Sequence, residues 1–452
     1  MTASSTYIPG DIDLQSCLLV NYNGKYIELR EIILEFNVYH DIFSNGIKCD
    51  IIVDDAIGLI ERVPIVGDET VIISFSEPTV AKYVTYVFSV YKVSDRVSQN
   101  DRSNTYVIHA QSQELINDLR SIVSRSYSNI AADEIVSDVY KTYLQPKTSK
   151  FSYIREGRSL SFESTEGRHT LIAPKVSPFQ FIRMVSSEAQ SKKYRSASFV
   201  FFETTKGWKF VTIENLMDKP AVDSFYFSHA LFDRQHTIDN ETIFPYQIIV
   251  AIDYASQFDN VIAHKAGMLD NDVEVIDPIR KKFSTESFLY DRDFEELVHL
   301  GKGKMYTEKS LYKKNDGSSR STLLVSNIGE SYPLLTYITN GRDLDPQIKD
   351  PRVIHKTLPF SLPVMASINN MVIDVTVPGN TELDVGDVVN LNIMQNSSDS
   401  EHLSKTNLFY GQKDSRFLVT AMRHTYNRGD NRFFTVLQCV KDTYAIEPKE
   451  IE

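Results

Sequence analysis

Residues 47–53 read Ile47-Lys48-Cys49-Asp50-Ile51-Ile52-Val53. Ile47, Cys49, Ile51 and Val53 alternate against Lys48, Asp50 and Ile52. Successive side chains of a strand point to opposite faces, so this period of two predicts a strand with one buried face. Upstream, Ile32, Leu34, Phe36 and Val38 take alternating positions inside an apolar-rich stretch from Lys25 to Phe43. Asn23-Gly24 ahead of it is a hairpin turn signal. Downstream, Pro64, Gly67 and Asp68 break the chain before Val71-Ile72-Ile73-Ser74-Phe75. Val84 to Val93 and Thr105 to Ala110 supply two more strands. About six strands joined by short turns predict a small closed barrel or sandwich over residues 1–111.

The pattern changes near Ser112. Leu115, Ile116, Leu119, Ile122 and Val123 follow helical spacing, as do Ile135, Val136, Val139, Tyr140 and Tyr143. Ser177-Pro178-Phe179-Gln180 is a helix start: Ser177 caps, Pro178 suits the first helical position, and Gln180 completes a capping box. Ile182, Met184, Val185 and Ala189 follow it. Phe199 and Phe201, a turn over Thr204 to Gly207, then Trp208, Phe210 and Thr212 read as a hairpin. Together these predict an α+β unit over 112–235. A second β-rich region opens at Tyr246 to Tyr254. A polar stretch interrupts it over 265–360, with one helix around Phe294, Leu297, Val298 and Leu300 and a loop at Asn315 to Ser319. Strands resume from Ser367 to Val377 and turn at Pro378-Gly379-Asn380 and Gly386-Asp387. Phe417 to Thr425 and Arg432 to Val440 close the region, and the chain frays from about Glu447.

One echo links the two β-rich regions. Ile65 to Val71 and Leu383 to Val389 both place Gly-Asp at a tight turn between strands. Glycine tolerates positive φ there, and the aspartate can accept from the turn backbone.

The chain has 452 residues with 25 Phe, 24 Tyr and one Trp, an aromatic balance that suits pleated, half-buried surfaces. Its formal net charge of −12 argues against gripping a nucleic-acid backbone. It leaves open an acidic duct along which DNA slides. No stretch reaches the length of a membrane span. The start, Met-Thr-Ala-Ser-Ser-Thr, lacks the features of a signal peptide, so synthesis in a cytoplasm is expected. Cys17, Cys49 and Cys439 are distant and odd in number, and read as buried apolar residues.

No nucleophile elbow and no glycine-rich dinucleotide loop occur. Gly301-Lys302-Gly303-Lys304 lacks the spacing of a phosphate loop. His229 and His236, seven residues apart, lack an accompanying cysteine or a convincing third metal ligand. His424 reads as a hydrogen-bonded structural residue. The carboxylates Asp291, Asp293, Glu295 and Glu296, and the pair Asp343 and Asp345, read as solvated faces. Trp208 with Phe199, Phe201 and Phe210 reads as core. The sequence thus assigns no catalytic residue, no metal ligand and no cofactor, and a non-enzymatic role is expected.

Three stretches carry a family resemblance. The first is Gly58-Leu59-Ile60-Glu61-Arg62-Val63-Pro64-Ile65-Val66-Gly67-Asp68-Glu69. The second is Ser177 to Ile182 with Phe199 to Thr204 and Gly207-Trp208. The third is Val377-Pro378-Gly379-Asn380 with Val385 to Val389, Phe417 to Thr420 and His424. In their order and spacing the chain resembles the baseplate central hub proteins of contractile-tailed bacteriophages and the N-terminal region of type VI secretion spike proteins. The resemblance implies an α+β, β-rich fold with two tail-tube-like β-barrels. The first would span 1–111 and be followed by the α+β insert 112–235. The second would be discontinuous, 236–265 and 360–445, around an insertion 266–359 that packs with the α+β domain. Pro64, Gly67, Asp68, Pro378, Gly379, Gly386 and Asp387 would be structural turns of the barrels.

The resemblance also implies a homotrimer whose six barrels meet a sixfold tail tube protein while its threefold axis meets the central spike. Baseplate wedge proteins would surround it. Genomic DNA would pass through transiently without specific binding, and nothing would insert in a membrane. The place is the virion tail baseplate, after assembly in the host cytoplasm. No fused spike or lysozyme-like segment follows the second barrel, so a separate central spike protein is expected. The alternatives are a wedge or peripheral baseplate component, or a tail-associated cell-wall hydrolase.

Overall fold

The computed structural model describes residues 9–21, 23–62, 65–78, 82–100, 103–145, 159–227, 236–238, 241–277, 281–306, 321–326, 354–393 and 415–443. Seven strands come first: β1 (Asp13–Val20), β2 (Tyr26–Glu28), β3 (Ile33–Asp41), β4 (Lys48–Asp55), β5 (Thr70–Ser76), β6 (Val84–Asn100) and β7 (Ser103–Ser112). They pair antiparallel in the spatial order β3-β4-β7-β6-β5-β1-β2. The alternation of residues 47–53 is real in space: Ile47, Cys49, Ile51 and Val53 are buried, while Asp50 and Ile52 are half-buried. One phase differs from expectation. A register shift between Ile33 and Glu35 puts Ile33 in the core and leaves Leu34 exposed. A bulge adds one residue to the strand, which reverses the facing of everything before it.

The insert packs its own core. The helices that pack in it are Gln113–Arg120, Ala132–Val139 with a wide final turn Tyr140–Leu144, and Pro178–Glu188. The last begins as expected: Ser177 Oγ accepts from Gln180 N and Gln180 Oε1 from Ser177 N, both at 3.4 Å. The first stops at Arg120, short of the expected Ile122 and Val123. Val123 leaves it to donate to Val176 O at 2.8 Å, so Leu119 and Ile122 stay exposed. The hairpin Phe199–Thr204 and Gly207–Thr212 buries Trp208, which stacks on Phe201 at 4.9 Å and Phe179 at 5.7 Å. Its aromatic row is core, as read from the sequence.

The polar stretch holds more structure than expected. Asp270–Asp277, Lys282–Leu289 and Ser321–Ser326 form a three-stranded sheet. The expected helix through Leu300 is a single turn, Tyr290–Asp293, followed by a tighter turn Phe294–Glu296. Helix Ile354–Ser367 runs through Pro359 and Pro363, and takes in Ser367, expected as strand. Pro363 has no N–H for the carbonyl of Pro359 one turn earlier, and Asn271 Nδ2 donates to that carbonyl instead, at 3.0 Å.

The remaining strands are Ala251–Ser256, Met371–Pro378, Val388–Ile393, Arg416–Asn427 and Arg432–Lys441. Their spatial order is 251–256, 371–378, 432–441, 416–427, 388–393, all antiparallel. This repeats the order β3-β4-β7-β6-β5 strand for strand, in the same chain order. The bulges repeat too: β6 shifts register between Val90 and Lys92, and 416–427 shifts between Val419 and Ala421. Counting along the ladders from these bulges, Val90 corresponds to Val419, Ala110 to Cys439, Cys49 to Ile373 and Val38 to Tyr254. The halves differ at one edge. β5 is flanked by antiparallel β1, whereas 388–393 is flanked by the parallel strand Ala221–Phe227.

The two halves join directly. Ala421–Asn427 pairs antiparallel with Glu35–Asp41, making one 13-stranded sheet. The pairings establish a β-rich α+β fold on one large sheet. Among the described residues they close neither half into a ring.

Gly379 shows how tightly the halves meet. A Cβ there would lie 1.7 Å from Phe433 Cδ1, and Phe433 is fully buried against Phe75 and His424. Gly379 N donates to Phe433 O at 2.9 Å, so the backbone cannot retreat. Gly379→Ala is expected to lower unfolding free energy by about 1–3 kcal/mol, the usual range for overpacking. Gly429→Ala, whose nearest neighbour is the side chain of Asn427, is the matched control in chemical denaturation.

Candidate functional site

The seam between the halves gathers buried polar groups from three parts of the chain. His40, on β3, sends Nε2 to Tyr86 Oη at 3.1 Å. Its Nδ1 stands 3.7 Å from Asp384 Oδ1. Its ring meets His424 edge-on, with centroids 5.8 Å apart. His424 Nδ1 lies 3.1 Å from Thr435 Oγ1. Burial, then the neighbouring His40, holds His424 well below the usual imidazole range, so it is neutral. It is the structural histidine that the sequence suggested.

The tip of the 199–212 hairpin pins both halves at this seam. On one side Ile47 N donates to Glu203 Oε2 at 3.1 Å. On the other, Thr205 N donates to Asp384 Oδ2 at 2.9 Å, and the Thr205 hydroxyl donates to the same oxygen. Val385 N donates to Asp384 Oδ1 at 3.1 Å. Burial raises the Asp384 carboxyl above its ordinary range, and these donors pull the other way.

The turn residues named from sequence fall in two sets, one in each half. Gly386 has φ +81°, and its N–H donates to Val419 O at 2.8 Å. Asp387 Oδ2 accepts from Asp384 N at 3.1 Å, and Asp387 O accepts from Val419 N at 2.9 Å. In the first half, Glu69 does this work. Its carboxylate accepts from Val66 N at 3.0 Å and Gly67 N at 2.8 Å, and its carbonyl accepts from Val90 N at 2.9 Å. Since Val90 corresponds to Val419, Glu69 corresponds to Asp387. The Gly-Asp echo is thus out of step by one residue, and Asp68 is an exposed residue 3.8 Å from Arg120. Pro378 ends its strand and Gly379 follows against Phe433. Pro64 lies outside the described residues, as do His229, Asn315 to Ser319, Asp343 and Asp345.

Sequence reasoning missed His40, Glu69, Glu203, Thr205 and Asp384. Each is polar and nearly fully enclosed except Thr205, which is half-buried. Their partners range from the next residue, as for Val385 with Asp384, to the far half of the chain, as for His40 with Asp384, so only Glu69 and Asp384 left a local trace beside a glycine turn.

A second polar contact ties the chain's last strand to the 290–306 segment. His299 Nδ1 is 2.5 Å from Asp442 Oδ2, and its Nε2 is 2.7 Å from Phe294 O. Both ring nitrogens face acceptors, which favours the doubly protonated ring. Burial alone lowers the pKa, but Asp442 and the Phe294 carbonyl outweigh it and the net shift is upward.

The seam holds three parts of the chain in position. The three cysteines are buried thiols, raised by burial. Among the described residues, no three His, Cys, Asp or Glu side chains gather as a metal site would. No described helix is long and apolar enough to cross a membrane.

No protein-family model matches the chain, and no curated protein matches it either. Solved structures do. The tail protein of Neisseria meningitidis MC58 superposes with a TM-score of 0.52 at 10% identity, over 96% of this chain and 99% of that one. The 43 kDa tail protein of prophage MuSo2 from Shewanella oneidensis gives 0.52 at 8% identity, over 95% and 99%. An E. coli type VI secretion component superposes at 0.44 and 9% identity, too loosely to bear on the fold. The chain therefore has a tail-protein fold along nearly its whole length.

Two outcomes test this geometry. Asp384→Ala strands the Thr205 and Val385 N–H groups, and is expected to cost at least about 2 kcal/mol in denaturant unfolding, with Asp384→Asn costing less. The His299 contact gives a pH signature. A folded pKa above the unfolded value of about 6.5 means its stabilisation is complete below that pH and declines as pH rises through the folded pKa. Asp442→Asn is expected to flatten that decline in stability measured from pH 6 to 9.

Proposed function

We infer that the chain is a non-enzymatic structural subunit of a contractile tail: a trimeric baseplate hub between a sixfold tail tube and a threefold central spike. The carrying observation is the internal repeat, two halves that share a five-strand order and join side by side in one chain. Such a chain solves a matching problem. Three copies present six similar units to one neighbour and three identical chains to the other. The tail-protein fold supports the same role.

In this reading each half curls as a tube-like barrel, over 1–111 and over 236–265 with 360–445. The 112–235 and 266–359 segments brace the halves from outside, and wedge proteins surround them. Gly67, Asp68, Pro378, Gly379, Gly386 and Asp387, with Pro64, shape the barrel turns. DNA passes along the axis without specific contacts, consistent with the net charge of −12. The place of the protein is the virion tail.

The mass of the purified chain at micromolar concentration tests the reading, with three copies as the expected result. A stable monomer that also enters particles away from the tail axis would assign it to a wedge or peripheral place. Cell-wall clearing by the isolated chain, lost on changing one carboxylate, would make it a hydrolase.

A further inference from the structure

The chain carries 60 acidic against 48 basic residues, yet one cleft collects positive charge. The cleft has a volume of about 540 Å³ and is lined by Asp218, Lys219, Pro220, Ala221, Asn390 and Arg416. It lies where the insert meets the sheet of the second half. Helix Ile213–Met217 ends there, and Asp218 to Pro220 lead into the strand Ala221–Phe227. That strand runs parallel to 388–393, in which Asn390 faces Ser224 on one side and Arg416 on the other. The corresponding edge of the first half is built differently, since β1 flanks β5 antiparallel.

The cations at this corner lack counter-charges. Arg416 spends Nη2 on two neutral carbonyls, Met217 O and, at 2.7 Å, Lys219 O. Its enclosed Nε has no acceptor. Among the described residues the Lys219 ammonium reaches Gly386 O alone, at 3.5 Å. The half-buried Lys209 holds its ammonium 5.9 Å from the Phe202 ring centroid, and Lys206 is exposed. Among the described residues none of these four sits in an ion pair. The nearby carboxylates are committed elsewhere. Asp218 accepts from Lys193 Nζ at 2.6 Å and Tyr194 Oη at 2.9 Å. Asp384 accepts from Thr205 and Val385, and Asp387 from Asp384 N. Burial, then the neighbouring Lys209, lowers the Lys219 ammonium below its usual range although Asp387 and Asp384 pull the other way. Positive charge is therefore in excess here, and an anion relieves it.

We propose that this cleft binds a short acidic segment of a partner protein, its carboxylates held by the combined charge of Lys219, Lys209 and Arg416. Carboxylates answer ammonium and guanidinium groups with charge-assisted hydrogen bonds. Pro220 and Ala221 add an apolar wall, which suits a peptide better than a bare ion. The volume admits a few side chains. Duplex DNA fits less well. The cations meet at one corner and not along a stripe, and a chain of net charge −12 repels a long polyanion. Among the described residues the parallel-strand corner occurs in one half only, so one segment per chain is expected. The site goes beyond the hub reading and does not depend on how many copies assemble.

The probe is an end-blocked tetraglutamate peptide, titrated calorimetrically into the full chain at low salt with tetraglutamine as the neutral control. One tetraglutamate is expected to bind per chain. Its affinity is expected to fall at least about tenfold in the double variant Lys209→Gln with Lys219→Gln, since each lost ion contact weakens binding. Lys25→Gln, in the exposed turn after Asn23, is expected to bind as the unmodified chain does. Amine acylation of the unmodified protein, read lysine by lysine by mass spectrometry, gives a second reading that needs no variant. Tetraglutamate is expected to slow labelling of Lys209 and Lys219 severalfold and to leave Lys25 unchanged. Binding that neither protects these two lysines nor weakens in the double variant places the peptide elsewhere and overturns the cleft. Protection by inorganic phosphate or a DNA duplex, but not by the peptide, overturns the partner-protein assignment. No binding of any of these probes overturns the site. None of these results bears on copy number, so the hub reading stands or falls on its own test.

Discussion

Everything in this fold depends on the ladder between Ala421–Asn427 and Glu35–Asp41. Residues almost 390 positions apart meet there, as when Thr425 Oγ1 donates to Asn37 Oδ1 at 2.8 Å. Without it the chain is two strand-rich halves with a shared insert. With it, Tyr426 and Phe433 of the second half enter the first half's core beside Phe36 and Phe75. The contact is non-local, so closing it costs loop entropy before any packing rewards it. The hairpin tip at Glu203 and Thr205 offsets part of that cost by holding both halves in position.

The repeat explains why each half carries an acidic residue behind a turn. A turn that rests on a bulged strand needs acceptors for its N–H groups. Glu69 supplies them in one half and Asp387 in the other, at corresponding positions and through corresponding bonds. Different side chains thus keep the same backbone shape. Between the two halves of this chain, what persists is the turn, the bulge and the ladder order.

Much of the first half was legible, because strict alternation at Cys49, Ile51 and Val53 leaves one reading. So were the capping box at Ser177 and the hairpin around Trp208, which are local signals. The echo of Gly67 and Gly386 was legible as composition but misread by one residue, since the eye matches Gly-Asp while the ladder matches Glu69 to Asp387. Helix 354–367 was hidden by Pro359 and Pro363, whose lost bond is replaced by Asn271 from a distant strand. Strand 270–277 was hidden by its acidic residues, although Val273 and Val275 alternate in it and are buried. The seam left almost no trace, because His40, Asp384 and Thr205 have meaning only once three segments have folded together.

The central claim is that one chain carries two equivalent units which continue, copy to copy, as a ring. A low-resolution projection of the assembled protein down its axis tests it most directly. The account predicts six similar lobes at one radius around an open bore, with strict symmetry of order three. Three lobes with the halves at different radii, or an open chain of copies, would contradict it.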